Sequence, residues 1–330
     1  MVVASVIFAR RLPSLRAVLM GYFKTVHGIT VPAFFPDDSV ASALAYEPRE
    51  DDVFIVTYPK CGTTWVQYIT YAILHNGDPP NGVPEFLTNS PFLEVFGADA
   101  VCAMPRPGII KTHLAFNKLK FSSRAKYMYV ARNPYDVCVS AYHHIRTLTA
   151  CEEDLIDIDE FVKRFVSGGG HGCYLGDSLV PWYSRKNVGN VLFLTYEGLH
   201  ADTKQQVKRV AEFLGREYGR RLSTDPALLQ RIVELSTKER MRPFLKGFVR
   251  KNIEFVVEQR TSRNLQIATE LQKLLEFVTH HPPRHEFMRD GSVGGYTKFL
   301  CENNRAILKD WIAAKTSGSD VMRLWPDVGV

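Results

Sequence analysis

The chain has 330 residues, of which 45% are hydrophobic and 23% charged, and its formal net charge at pH 7 is +6. This balance is typical of a soluble globular protein, and the lack of repeats and of Pro/Gly/Ser-rich linkers favours a single domain. No apolar run approaches the roughly 20 residues that a bilayer-spanning helix needs, so no membrane partner is predicted. The basic residues are interspersed with acidic ones, which favours a small anionic ligand over a nucleic acid.

The first 36 residues contain no acidic side chain but carry Arg10, Arg11, Arg16 and Lys24. Such a segment resembles a mitochondrial presequence or a weak signal peptide, but we favour a loosely ordered extension. We therefore expect an N-terminal extension over residues 1–20, one domain over residues 21–330 and a cytoplasmic location. The six cysteines show no CxxC pair and no metal-ligand spacing, which favours a reducing compartment and argues against a zinc site.

The most informative segment is the β-branched run at residues 53–57 with the eight residues after it, Tyr-Pro-Lys-Cys-Gly-Thr-Thr-Trp. The run predicts a buried strand, and the apolar pattern over residues 65–74 predicts a helix that begins in this turn. The free N–H groups and the dipole at a helix start attract anions, so phosphate or sulfate is the expected guest. Lys60 precedes Gly62, whereas magnesium-dependent triphosphate loops place glycine before Lys-Ser/Thr. Plain packing is the alternative for this turn taken alone.

Three further apolar runs, at residues 108–110, 127–131 and 191–195, predict strands that end next to Lys111, Arg132 and Tyr196. Helical patterns lie between or after them, at residues 136–148, 159–166, 202–214 and 225–241. Strands that alternate with helices predict an α/β fold, here a single domain with a mainly parallel central sheet flanked by helices. Ligands of such sheets bind at the carboxyl ends of the strands, so the four polar tips are expected to share one crevice.

His113 is the strongest candidate for proton transfer. Histidine accepts a proton near neutral pH, and one at a strand end can reach a ligand in the crevice. Most histidines are structural or exposed, and this chain has ten. Lys111 distinguishes His113 from the others, because side chains two residues apart in an extended segment point to the same side. A base and a cation are therefore expected to face one site.

The segments around these residues resemble the cytosolic sulfotransferases. Residues 57–65 are similar to the family's phosphosulfate-binding loop, Thr-Tyr-Pro-Lys-Ser-Gly-Thr-Thr-Trp, with Cys61 in place of the serine. Residues 111–114 resemble its Lys-Thr-His-Leu segment, and residues 132–140 its Arg-Asn-x-x-Asp-Val-x-x-Ser segment. Residues 236–241 and 287–296 resemble its Thr-Ser-Phe-x-x-Met and Arg-Lys-Gly segments, with departures that include Lys238 and Asp290. The resemblance spans roughly residues 21–304 and implies a P-loop-like phosphosulfate-binding loop.

The same resemblance implies that 3′-phosphoadenosine 5′-phosphosulfate (PAPS) is the donor and 3′-phosphoadenosine 5′-phosphate (PAP) the product. It assigns the donor to four groups of residues. These are Lys60, Cys61, Gly62, Thr63, Thr64 and Trp65 for the 5′-phosphosulfate; Arg132 and Ser140 for the 3′-phosphate; Tyr196, Ser236, Thr237 and Met241 for the adenine; and Phe287, Met288, Arg289, Asp290 and Gly291 for a loop around the 3′-phosphate.

For the reaction, the resemblance implies in-line transfer of a sulfuryl group to a small acceptor such as a phenol, a catecholamine-like amine or an alcohol. His113 is the expected general base, Lys60 and Lys111 stabilise the developing charge, and Ser140 holds Lys60 back until the acceptor binds. No metal is expected, because these side chains neutralise the leaving group. The residues expected to contact the acceptor are Phe92, Lys111, His113 and His144.

Two alternative functions stay open from the sequence. A nucleotide-dependent small-molecule kinase would use a similar anion loop, although the Gly-Lys-Ser/Thr order is missing. A catalytically silent nucleotide-binding relative is favoured by Lys238 and by Asp290, because an acid beside a phosphate weakens binding. Residues 264–278 predict an amphipathic helix that either packs in the core or covers the acceptor site. The usual dimer motif of the family is not matched at residues 296–305, which argues against a dimer through that surface and leaves the choice between monomer and dimer open.

Overall fold

A computed structural model describes residues 21–148, 157–168, 173–280, 287 and 291–328. The strands of this part of the chain, in order, are β1 Phe23–Val26, β2 Ile29–Pro32, β3 Val53–Thr57, β4 Ile110–Thr112, β5 Lys126–Ala131 and β6 Val191–Thr195. β1 and β2 form an antiparallel hairpin, and the other four form one parallel sheet in the order β4-β3-β5-β6. The predicted α/β fold with a parallel central sheet is therefore confirmed.

The strand predictions hold to within two residues. β3 and β6 have the predicted bounds, and β5 begins one residue earlier than predicted. The strand predicted at residues 108–110 is only partly correct, because β4 starts at Ile110 and continues through Lys111 to Thr112. Lys111 therefore lies within the strand, and His113 is the first residue after it.

Helices cover most of the chain between and after the strands. In order they are α1 Asp37–Ala45, α2 Thr63–Leu74, α3 Val83–Asn89, α4 Leu93–Ala103, α5 Pro134–Leu148, α6 Ile158–Val166, α7 Val180–Tyr183, α8 Tyr196–Ala201, α9 Thr203–Leu214, α10 Arg216–Thr224, α11 Pro226–Leu235, α12 Lys238–Leu245, α13 Phe248–Ser262, α14 Thr269–His280 and α15 Glu302–Lys315. A π-helical turn spans Tyr174–Leu179, and 3₁₀ turns span Gly295–Lys298, Val321–Leu324 and Pro326–Val328. Among the described residues, no helix is long and apolar enough to cross a bilayer.

Two helix predictions were wrong. The single helix predicted over residues 225–241 is two helices, because the chain leaves α11 at Ser236 and Thr237 caps α12 by accepting a hydrogen bond from the N–H of Arg240. The helix predicted over residues 264–278 begins only at Thr269, and Leu265 is 40% exposed. Serine and threonine compete for backbone groups and favour caps over helix interiors, which explains the first error.

The sheet lies between two apolar layers, because successive side chains of a strand point to opposite faces. Ile55 and Met128 belong to a buried cluster with α2, α9 and α11. Phe54 and Tyr127 face the other way and stack on each other at 5.0 Å between ring centroids, next to the buried Trp182. A third cluster joins the β1–β2 hairpin to α1, α4, α13 and α14.

Residues 1–20 lie outside the described residues, so the boundary between an extension and the domain stays a prediction. The cytoplasmic location also stays a prediction. The segment predicted as a loop around the 3′-phosphate is described only at Phe287 and from Gly291 onward, and Met288, Arg289 and Asp290 lie outside the described part.

Candidate active site

Segments that follow β3, β4, β5 and β6 meet around one cavity of about 710 Å³. This convergence is the expected consequence of a parallel sheet, whose carboxyl strand ends share one edge. Residues of α12, α13 and α14 close the other side of the cavity. The predicted site residues that line it are Lys60, Gly62, Thr63, Thr64, Trp65, Phe92, Lys111, His113, Arg132, Ser140, His144, Tyr196, Ser236, Thr237, Met241, Phe287 and Gly291.

Cys61 is the described residue of the predicted site that does not line the cavity. Its side chain is fully buried in the core cluster beneath the loop, and its backbone N–H donates to the carbonyl oxygen of Tyr58 at 3.3 Å. Burial also raises the pKa of the Cys61 thiol to about 12. Cys61 thus lies apart from the cavity lining, and its contact with the donor stays a prediction.

The anion loop presents unpaired donors at the start of α2. Within the described part of the chain, the N–H groups of Gly62, Thr63 and Thr64 have no hydrogen-bond acceptor, as expected for the first turn of a helix. Gly62 is in the left-handed region at φ 98°, and Lys60 is there too at φ 74°. These two dihedral angles bend the chain sharply between β3 and α2, and the three residues with unpaired amides line the cavity.

Lys60 projects from this turn into a crowded cationic environment. Its ammonium nitrogen lies 5.2 Å from the centre of the Phe287 ring. Burial, together with the nearby positive charges of Arg132 and Lys111, lowers the pKa of Lys60 to about 8. Lys60 and Ser140 make no hydrogen bond to each other here, although both line the cavity. The site therefore concentrates positive charge that an anionic ligand would neutralise.

His113 is oriented by the end of β3. Its Nδ1 atom lies 2.8 Å from the carbonyl oxygen of Thr57 and 3.1 Å from the Thr57 hydroxyl, which in turn lies 2.6 Å from the hydroxyl of Thr63. A carbonyl oxygen can only accept, so Nδ1 carries the proton. In the neutral ring, Nε2 therefore holds the lone pair and has the chemistry of a base.

Lys111 and Phe92 lie next to His113. The ring of Phe92 packs edge-on against the imidazole at 4.9 Å, and the Lys111 ammonium lies 4.0 Å from the centre of the same ring. Burial lowers the pKa of Lys111 to about 8, and this shift is opposed by the carboxylate of Glu94. The pairing of Lys111 with His113, predicted from their spacing, is therefore present in the structure.

Arg132 connects the anion loop to the segment after Gly291. Its guanidinium donates to the carbonyl oxygens of Lys60 and Ser292, each at 3.2 Å, and lies 4.2 Å from the centre of the Tyr196 ring. Its Nε atom is buried and has no hydrogen-bond partner among the described residues. Tyr196 donates from its hydroxyl to the carbonyl oxygen of Gly291 at 2.6 Å. A buried donor without an acceptor is costly, and an anion in the cavity would satisfy it.

Asp136 holds the same segment from α5. Its two carboxylate oxygens accept hydrogen bonds from the N–H groups of Gly294 and Tyr296, at 2.8 and 3.0 Å. Asp136 is only 3% exposed. The segment predicted to wrap a phosphate is thus anchored to α5 as well as to Arg132 and Tyr196.

Trp65 and the break between α11 and α12 form the part of the cavity predicted for the adenine. The indole N–H of Trp65 donates to the carbonyl oxygen of Ser236 at 2.9 Å, and its ring packs edge-on against Tyr196 at 5.5 Å. The Ser236 hydroxyl is buried and donates to carbonyl oxygens of α11. Met241 is buried beneath them and Lys238 stands at the rim. The predicted residues are therefore together here, with Trp65 as their largest flat surface.

The rest of the cavity is mainly apolar. The hairpin side contributes Phe34 and Phe35, α4 contributes Val95, and α13 and α14 contribute Ile253 and Leu274. His143 and His144 line the cavity from α5. The amphipathic helix near residue 270 was predicted either to pack in the core or to cover the acceptor site. α14 packs in the third cluster and also forms a wall of the cavity, so the two predictions are compatible.

Sequence reasoning missed several residues of this site. Glu94, which accepts a hydrogen bond from the N–H of His113 at 2.6 Å, was signalled only as a lone acid in an apolar run. Asp136 was part of a recognised pattern but had no role assigned to it. Phe34, Phe35 and the residues of α13 carry no chemical signal, because an apolar side chain that lines a cavity looks like one that fills a core.

Comparison with known proteins places the chain among sulfotransferases. A family model described as a sulfotransferase domain matches residues 50–320. Mouse Sulfotransferase 2B1 is 37% identical over 205 residues, which cover 60% of this chain and 60% of that protein. Human Sulfotransferase 2B1 is 38% identical over 178 residues, covering 52% of this chain and 48% of that protein. Human Sulfotransferase 1C2 is 31% identical over 215 residues, which cover 62% of this chain and 70% of that protein. The matched region thus spans 60% of the mouse and 48% of the human Sulfotransferase 2B1 protein.

Solved structures share the fold over nearly the whole chain. Mouse sulfotransferase SULT7A1, solved with PAP, aligns with a TM-score of 0.65 and 21% identity, covering 92% of this chain and 97% of that one. Retinol dehydratase, solved with androsterone and the inactive cofactor PAP, aligns with a TM-score of 0.68 and 19% identity, covering 92% of each chain. At this level of identity, the likeness extends to the fold.

Proposed function

The chain belongs to the sulfotransferase family, and on that premise we propose that it moves a sulfuryl group from PAPS to a hydroxyl or amine of a small acceptor. The observation that carries the proposal is the meeting of His113, Lys60 and Lys111 at one cavity next to the N-terminus of α2. A base, two cations and free backbone amides are the groups that transfer of an anionic sulfuryl group requires.

The residues of the cavity fit a donor that carries two anionic groups. The amides of Gly62, Thr63 and Thr64 suit the 5′-phosphosulfate, and the unpaired Nε of Arg132 suits the 3′-phosphate together with Ser140. When bound, PAPS supplies a sulfuryl group activated by its link to a phosphate. Two fold neighbours were solved with PAP, and we extend that ligand to this chain.

Each catalytic side chain then has a distinct task. His113 takes the acceptor proton at Nε2, because its Nδ1 proton is committed to Thr57. Lys60 and Lys111 stabilise negative charge that develops during an in-line transfer. Ser140 restrains Lys60 until the acceptor arrives, which limits hydrolysis of the donor. These tasks need no metal, and a chelator is expected to leave the rate unchanged.

The acceptor is proposed to lie in the apolar part of the cavity, next to Phe92 and His144. Phe92 packs against both His113 and Lys111, so an acceptor that packs on the Phe92 ring lies next to the base. Phenols, catecholamine-like amines and alcohols all have the required combination of an apolar body and one nucleophilic group.

Transfer of labelled sulfate from PAPS to a panel of phenols, amines and alcohols tests the proposal. His113→Ala should lower turnover by about a thousandfold, within the usual contribution of a general base, and leave PAP binding nearly unchanged. Arg132→Ala should weaken PAP binding. His280→Ala is the matched control, because His280 is exposed at the end of α14 and does not line the cavity.

The alternatives give different results in the same assays. Near-normal turnover in His113→Ala would show that another residue is the base. Magnesium-dependent transfer of phosphate from ATP would identify a small-molecule kinase. Binding of PAP without transfer to any acceptor would identify a catalytically silent relative.

A further inference from the structure

Glu94 is a buried carboxylate beside the two residues assigned to proton transfer and charge stabilisation. It lies in the first turn of α4 and is 2% exposed. Its Oε1 atom accepts a hydrogen bond from the backbone N–H of His113 at 2.6 Å. Its Oε2 atom is buried and makes no hydrogen bond within the described part of the chain. Burying a carboxylate costs desolvation free energy unless hydrogen bonds or a nearby positive charge compensate for it.

Glu94 completes a hydrogen-bond ladder along the edge of β4. The N–H of Ile109 donates to the carbonyl oxygen of Asn89 at 2.9 Å, and the N–H of Lys111 donates to that of Pro91 at 3.0 Å. The next N–H on this side belongs to His113. The segment that faces β4 continues from Pro91 into α4, which begins at Leu93, so it offers no backbone carbonyl at this position. A carboxylate oxygen of Glu94 accepts the hydrogen bond instead. The side chain therefore fixes the backbone that carries both Lys111 and His113.

Glu94 also lies close enough to Lys111 for their charges to interact: the Lys111 backbone N–H donates to Pro91 at 3.0 Å, and the Lys111 ammonium lies 4.0 Å from the centre of the ring of Phe92, two residues before Glu94. Burial raises the pKa of Glu94 to about 7, opposed by the His113 amide, the Thr112 hydroxyl and the Lys111 charge. Burial lowers the pKa of Lys111 to about 8, opposed by Glu94. Each group thus reduces the cost of keeping the other charged.

We propose that Glu94 is a positioning residue that fixes the backbone of His113 and maintains the positive charge of Lys111. Its consequence for catalysis rests on the proposed function, whereas the two interactions themselves do not. The arrangement joins the base and the cation to one buried carboxylate, so that they are held in register with each other.

Other charged groups surround this pair. The elements packed against α4 include β4, α1 and α13. The carboxylates of α1 are engaged elsewhere, Asp37 with Lys24 and Asp38 with Arg260, and on α13 Arg250 pairs with Glu254. Across the cavity, Lys60 interacts with Lys111 through charge repulsion. Glu94 is the group whose charge favours protonated Lys111, and burial opposes it.

Trace acylation of the unliganded protein tests the proposal without any substrate. Acetic anhydride reacts with the neutral amine, so the labelling of the Lys111 peptide between pH 6 and 10, measured by mass spectrometry, gives the pKa of Lys111. Glu94→Gln keeps an acceptor for the His113 amide but removes the charge. It should therefore lower the pKa of Lys111 by about one unit. An unchanged labelling curve would overturn the proposal.

Glu85→Gln is the matched control. Glu85 also accepts a side-chain and a backbone hydrogen bond, from Tyr71 at 2.7 Å and Asn81 at 2.8 Å, but it lies on α3 outside the cavity. Its substitution should leave the labelling of Lys111 unchanged. Glu94→Asp, which keeps the charge, should leave the pKa of Lys111 near its original value.

A double variant covers the case in which Glu94→Gln does not fold. Removing Glu94 alone leaves Lys111 as a half-buried cation without a neighbouring carboxylate, whereas Lys111→Met combined with Glu94→Gln removes both charges. The double variant should then recover a folded circular dichroism spectrum, and failure to recover would overturn the charge pairing.

If transfer activity is present, Glu94→Gln should also move the alkaline limb of kcat/KM for the donor to lower pH. Absence of any transfer would contradict the proposed function but leave the labelling result standing.

Discussion

Gly62 is the residue at which the anion loop depends most on the lack of a side chain. Its φ of 98° disfavours any L-residue, and a Cβ atom placed there would lie 2.8 Å from Cδ2 of Tyr196. Tyr196 cannot easily move aside, because its hydroxyl is bonded to Gly291 and its ring lies under Arg132. The close approach brings the tyrosine ring directly against the turn that presents the three free amides.

Gly62→Ala is therefore expected to lower the free energy of unfolding by about 3 kcal/mol, the sum of left-handed strain and overpacking. Gly28→Ala is the control, since Gly28 has φ 76° and no atom within 4 Å of the added Cβ. It should cost only about 1 kcal/mol. Urea denaturation of both variants measures the difference, and equal losses would show that Tyr196 yields freely.

The pair α13 and α14 depends on Arg260 for its attachment to the rest of the protein. Arg260 is 5% exposed and its guanidinium donates to Asp38 at 2.9 Å and Ser39 at 3.3 Å on α1. Its Nε donates to the carbonyl oxygen of Gln266 at 2.7 Å, in the turn before α14. One side chain thus joins α13, α14 and α1, and the first two of these line the cavity.

Arg260→Ala should lower the free energy of unfolding by about 3 kcal/mol, because it removes the packing of a buried side chain and the hydrogen bonds by which that side chain joins three helices. Arg250→Ala on the same helix breaks only an exposed pair with Glu254, at 2.6 Å, and should cost less than about 0.5 kcal/mol. Hydrogen exchange followed by mass spectrometry should show faster exchange in α13 and α14 of the first variant alone. If both variants exchange alike, Arg260 does not secure this wall.

The elements that the sequence predicts best are those whose role leaves a pattern in the chain. A buried parallel strand must be apolar on both faces, so β3, β5 and β6 stand out as continuous runs. The division of residues 225–241 could not be predicted, because the helical apolar pattern continues across Ser236 and only the caps reveal the break. α13 escaped prediction for a related reason. Its buried side chains pack into two different hydrophobic clusters, so its apolar residues do not all lie on one face of the helix.

The cavity as a whole combines a part that the sequence predicts with a part that it does not. The anion-binding half follows strand ends, where Lys60, His113 and Arg132 are polar residues next to apolar runs. The apolar half joins the β1–β2 hairpin side to α13 and α14, which lie more than 200 residues apart in the chain. Its residues are recognisable only after folding, because their chemistry is that of any core residue.

Assembling this cavity places several charges where water is scarce, which lowers the stability of the entire protein. The lysines at positions 60 and 111 keep their charge at pH 7 although burial lowers the pKa of each to about 8. In the unfolded chain both would remain protonated up to about pH 10.4. The unfolded state therefore binds more protons between pH 8 and 10.4, so stability should rise with pH across that window.

Lys60→Met isolates this effect, since it removes the charge and keeps an apolar side chain of similar length. The variant should be more stable than the unmutated protein by about 2 kcal/mol at pH 7, and this advantage should shrink as pH rises from 8 towards 10.4. Lys118→Met is the control, because Lys118 is exposed and its substitution changes the net charge equally. Urea denaturation at pH 7, 8, 9 and 10 measures both variants. A stability gain in Lys60→Met that did not decline with pH would mean that packing, and not the buried charge, is responsible.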